Sequence, residues 1–116
     1  MESLEVNFEI AGIAGVNAAL ILDLIGRRAE TVTPNGIHYN HGRIWMRASM
    51  EAISERIPFL SVAAVRTSIR KLKETGLITV GNFNATRLDH TKWYALTEKA
   101  EELIKYSACR PENVIH

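Results

Sequence analysis

Residues 61 to 94, SVAAVRTSIRKLKETGLITVGNFNATRLDHTKWY, decide how this chain folds. In the first half Val62, Val65, Ile69 and Leu72 recur at three- and four-residue steps, which puts apolar side chains on one face of an α-helix. Ser61 is placed to cap that helix and Gly76 to stop it. At about 100° per residue, Ala63, Arg66, Thr67 and Arg70 fall on the opposite face, two long cations beside two small residues. After Gly76 the period switches to two, in Ile78 and Val80, and a second short strand runs from about Trp93 to Leu96 beyond a polar loop with Arg87, His90 and Lys92. A basic helix followed by a ribbon with a polar tip predicts a winged helix-turn-helix.

Charges on an amphipathic helix are ordinarily just solvated. Their distribution argues otherwise here. The chain has 14 Lys and Arg against 13 Asp and Glu, yet residues 61 to 94 hold six cations (Arg66, Arg70, Lys71, Lys73, Arg87, Lys92) and two anions, Glu74 and Asp89. Such segregation is expected of a domain that offers one positive surface to phosphate while staying near neutral as a whole.

At 116 residues, 47% of them hydrophobic, the chain is long enough for one core and not two. It has no apolar run of membrane-spanning length and no basic-then-apolar leader pattern, so a cytoplasmic protein is expected. The single Cys109 excludes an internal disulfide and argues against a zinc cluster.

Upstream, Leu4, Val6, Phe8 and Ile10 alternate like a strand, while Asn7 can cap a helix from Phe8 to Ala14; the helix is preferred. Asn17 can cap a second helix over 17 to 28, whose Leu20 to Ile25 is apolar nearly all round. Its surface must be covered by the core or by a second copy of the chain, so a homodimer through 17 to 28 is one expectation. Thr33 to Gly36 form a turn, and IHY and RIWM read as a short hairpin around Asn40-His41-Gly42, with Trp45 packing within it. Ser49 caps a helix to Arg56. Pro58, Phe59 and Leu60 then make the tight turn into the helix at Ser61. A last helix follows Thr97, to about residue 106, and 107 to 116 read as a frayed tail.

The run from Pro58 to Leu96 resembles the winged-helix N-terminal domains of phage and plasmid replication proteins of the replisome-organiser or initiator type. The resemblance rests on Pro58, Phe59, Ser61, Val65, Arg66, Leu72, Gly76, Leu77, Asn84, Asp89, Thr91, Lys92, Trp93 and Tyr94. The Asp-x-Thr-Lys-Trp-Tyr end is its most specific part, and GVNAALILDLI and GRIWMRAS extend it upstream. It implies duplex DNA as ligand and replication proteins as partners. Ala64 stands where that family usually has Thr, Thr67 where a second Arg often follows, and Ala18 where a Glu is common. Such proteins generally carry a further C-terminal domain, so this chain is expected to be either a shortened form or a standalone DNA-binding protein, and helicase loading is not carried over.

The expected function is therefore sequence-specific duplex DNA binding, with Arg66 and Arg70 reaching base edges or phosphates, Ala63 and Thr67 allowing close approach, and Lys71, Lys73, Arg87, His90 and Lys92 on the backbone or minor groove. Core packing is favoured over base stacking for Trp93 and Tyr94, one facing inward and the other exposed or paired across the ribbon. No nucleophile, metal-ligand or phosphate-loop motif supports an enzyme, and no cofactor is expected. A transcription regulator on the same fold and a protein-interaction module are the alternatives.

Overall fold

Apolar periodicity places the helices, and caps and glycines end them. The computed structural model describes residues 4–31, 39–40 and 42–109. The element order is α1 (Phe8–Ala14), α2 (Val16–Thr31), β1 (Tyr39–Asn40), β2 (Arg43–Ile44), β3 (Met46–Arg47), α3 (Met50–Arg56), α4 (Val62–Glu74), β4 (Ile78–Gly81), β5 (Trp93–Leu96) and α5 (Glu98–Cys109). This is an α+β domain with, among the described residues, five helices and a three-stranded antiparallel sheet of order β3-β5-β4, plus the small β1-β2 hairpin.

The caps follow the residues. Asn7, Ser49 and Ser61 each accept a hydrogen bond from the amide three residues on, at 3.1 Å. Gly76 has φ 75°, the left-handed stop after α4, and its amide reaches the Lys73 carbonyl. Thr97 opens α5: its hydroxyl accepts from the Ala100 amide at 3.3 Å and donates to the Gly76 carbonyl at 2.6 Å, tying the start of α5 to the end of α4.

Helix α2 is the centre of the core. Ala18, Ala19, Ile21, Leu22, Leu24 and Ile25 are all buried, packed with Ile10, Ile53, Ile57, Val65, Ile69, Leu72, Leu77 and Tyr94. Of the apolar surface over 17 to 28, these six side chains enter the chain's own core, while Leu20 is half-buried beside Leu4, Ile57 and Phe59.

Several expectations need correction. Helix α2 begins at Val16, with the Gly15 carbonyl accepting the Ala19 amide at 3.0 Å, so Asn17 lies inside the first turn and does not cap it. It extends to Thr31, three residues past the expected end. In the hairpin Asn40 pairs with Arg43, leaving a shorter loop than Asn40-His41-Gly42. Trp45 leaves the hairpin, and Met46 and Arg47 form a separate strand on β5, opposite Tyr94 and Trp93. The ribbon is therefore a three-stranded sheet with β5 in the middle. A central strand can be covered on both faces, so both aromatics are buried: Tyr94 in the main core, and Trp93 in a second cluster with Trp45 and Ala95 against Phe83. Helix α5 runs to Cys109, so 107 to 109 are helical rather than frayed. The turn at Thr33 to Gly36, His38, His41 and the tail from 110 to 116 lie outside the described residues.

The second cluster supports the ribbon from its outer face. Phe83 meets Trp45 edge-on at 4.8 Å between ring centroids and Trp93 at 5.6 Å. Gly81 leaves the room: a Cβ there would sit 2.9 Å from the Phe83 ring and 3.2 Å from Trp45. No described helix is long and apolar enough to cross a membrane.

Candidate nucleic-acid interface

Helix α4 buries Val65, Ser68, Ile69 and Leu72 and leaves Ala63, Arg66, Thr67, Arg70, Lys71 and Lys73 exposed. Stepping about 100° per residue, Ala63, Thr67, Arg70 and Glu74 line the outermost strip, Arg66 and Lys73 flank it on one side, and Lys71 flanks it on the other. Arg70 and Glu74 are 3.9 Å apart, with side chains 67% and 68% exposed. A pair that open is worth at most a few tenths of a kcal/mol (~0.3–0.5) and yields readily to an approaching phosphate. Arg66 forms no ion pair with any described residue.

The ribbon loop from Asn82 to Lys92 is held mainly by side chains, with the Ala48 amide donating to the Lys92 carbonyl at 3.2 Å at its end. Asn84 is its hub. The amide nitrogen of Asn84 donates to the carbonyls of Asp89 (2.9 Å) and Thr91 (2.7 Å), and its oxygen accepts from the Trp93 indole (2.8 Å) and from Arg47 Nε (3.1 Å). Both donors and both lone pairs are used. Asp89 accepts from the Thr91 amide at 3.0 Å and pairs with Arg47, while its own amide reaches the Thr86 hydroxyl. The hydrogen bonds from Thr91, and then Arg47, hold the Asp89 carboxyl down at about 2. Arg87, Leu88 and His90 are left exposed around this frame, and Leu88 is 89% exposed.

Helix and loop meet. Arg66 from α4 and His90 and Lys92 from the loop line one cleft of about 360 Å³, closed by Ser49 and Glu51 at the start of α3 and floored by Tyr94, whose phenol burial pushes above its ordinary value. On the other flank of α4, Ala63, Thr67 and Lys71 line a second cleft, of about 480 Å³, against the start of α2.

The structure thus brings Arg66, His90 and Lys92 together, and puts Ala63, Thr67 and Lys71 on a second cleft. Arg70 lies between them. Arg87 and Lys73 are exposed but line neither cleft. Arg47 and Asn84, which shape the loop, are absent from the site residues the sequence suggests. Asn84 does lie in the motif that carries the family resemblance, whereas Arg47 has no local signal because its partners are 37 and 42 residues away. Among the described residues no group of three or more His, Cys, Asp or Glu is placed to hold a metal ion.

No protein-family model matches the chain, nor does any curated protein or any solved structure.

Proposed function

We propose that this domain binds duplex DNA as a winged helix-turn-helix, with α3 and α4 as the helix pair, α4 in the major groove and the β4-β5 loop as the wing. The observation that carries this reading is the cleft in which Arg66 of α4 meets His90 and Lys92 of the loop. Two cations from different elements, Arg66 and Lys92, converge with the His90 imidazole on one concave surface, as a phosphate backbone running between recognition helix and wing requires. Ala63 and Thr67 are small and exposed in the first two turns of α4, where backbone and bases must approach closely, and Arg66 and Arg70 are long enough to reach base edges.

Glu74 sets the direction of insertion. It lies on the outer strip in the last turn and would meet phosphate there, so the N-terminal half of α4 enters the groove and the C-terminal end stays out. Lys71, Lys73 and Lys92 then neutralise backbone, and Arg87 at the loop tip reaches the adjacent minor groove or backbone. A role in replication initiation is supported by the resemblance of the Asp89 to Tyr94 segment, and its partners would be other replication proteins. A transcription regulator would use the same surface.

Titration of labelled duplexes against wild type and Arg66→Ala tests the reading. Wild type binds and the variant loses affinity with relaxed sequence preference; absence of binding to any duplex refutes it.

A further inference from the structure

We infer that the start of α2 and the adjoining flank of α4 form a second anion site, which takes a phosphodiester group of the duplex strand opposite the one at the ribbon. The inference rests on the duplex-binding reading. A helix in the major groove lies between two phosphate backbones about 12 Å apart, so a docked α4 must have something to meet the second strand. The ribbon-side cleft faces only one.

The cleft on the other flank is built for an anion. The amides of Val16, Asn17 and Ala18 are the first of α2 and have no acceptor among the described residues. They stand at the positive end of a 16-residue helix with no acidic residue in its first turn. Opposite them is Ser68, only 5% exposed; its hydroxyl has no hydrogen-bond partner among the described residues, yet it is not sealed from solvent. A serine this deeply set, lining the cleft with a hydroxyl that no protein group answers and that solvent reaches, offers one more hydrogen-bond donor to a ligand at the helix N-terminus. Lys71 lines the same cleft and contributes the opposing charge. The unanswered amides, the Ser68 hydroxyl and the Lys71 ammonium are complementary to a phosphodiester oxygen, and the position beside α4 selects the DNA backbone as its source.

Asn17→Asp tests this most cleanly. A carboxylate in the first turn favours the helix, so the free protein keeps or gains thermal stability, while the added charge opposes phosphate. Asn17→Asp, Ser68→Ala and Lys71→Gln are titrated with duplexes of different sequence over a range of salt, with melting curves to verify folding. The expected result is roughly three- to tenfold weaker binding to every duplex for Asn17→Asp and Lys71→Gln, a salt slope flatter by about one unit, and a smaller loss for Ser68→Ala. If wild type binds and Asn17→Asp keeps its affinity and slope, the second site is overturned and the duplex-binding reading stands. If wild type binds no duplex, both fall.

Discussion

Helix α4 and the ribbon loop bring cations to the same cleft, but different physics holds them there. In α4 the cations are placed by helical geometry, and the helix is anchored by Val65, Ile69 and Leu72 in the main core, so their positions follow from burial. In the loop the β4-β5 ladder stops at Gly81 and Trp93, and beyond the bond from the Ala48 amide to the Lys92 carbonyl the path of the chain is set by one amide side chain, one carboxylate and the strand-borne Arg47. A surface built on packing resists single polar changes. A surface built on a hydrogen-bond hub depends on one residue.

That contrast predicts where damage spreads. Leu72→Ala removes a fully buried side chain from the core and should cost about 2 to 5 kcal/mol of global stability, read as a lower denaturant midpoint with α4 and the ribbon lost in one transition. If the ribbon melted separately, the two regions would not share a core.

Asn84→Ala is smaller and should be local. It strips two donor and two acceptor contacts from the loop, among them the oxygen that accepts from the indole N–H of buried Trp93, for a cost of about 1 to 3 kcal/mol. Amide exchange should rise over residues 82 to 92 and stay unchanged in α4. Equal loss of protection in both would contradict separate support.

The least effect comes from acid. Because the Asp89 carboxyl is lowered to about 2, its contribution to the loop is fully present above the ordinary carboxylate value of 3.8 and fades as pH falls from there through about 2. The Thr91 amide and Trp93 indole resonances should titrate near 2. A midpoint at the ordinary value would mean that Thr91 and Arg47 do not hold the carboxylate as described.

The same contrast explains what was legible in the sequence. Ser61, the Val62-Val65-Ile69-Leu72 repeat and Gly76 mark α4 within a residue because cap, periodicity and stop are local signals. Strands β4 and β5 were visible through their period of two, and the exposed faces of Arg66 and Arg70 followed from the helical step. Hidden from it were features created by contacts distant along the chain. Strand β3 is two residues long and exists through pairing with β5 far downstream. The burial of Trp93 follows from Trp45 and Phe83 covering the second face of the sheet, which alternation cannot reveal. Arg47 joins the loop only across the fold, and Asn17 and Ser68 meet at the second cleft only once α2 packs on α4. Helix α2 shows the reverse: its all-round apolarity favoured the core over a dimer seam, and Ile21, Leu22, Leu24 and Ile25 do pack into the core.

The central claim, that these two regions form one phosphate-binding surface, is tested most directly by the salt dependence of duplex binding in wild type, Arg66→Ala and Arg87→Ala, followed by fluorescence anisotropy. With roughly four phosphates neutralised, the wild-type slope of log affinity against log salt should be about −3 to −4. Arg87→Ala should weaken binding to all duplexes alike and flatten that slope by about one unit, whereas Arg66→Ala should cost about 1 to 3 kcal/mol and relax sequence preference. A wild type that binds no duplex, or binds with no dependence on salt, would contradict the account and leave the cations of α4 and the loop as a solvated face.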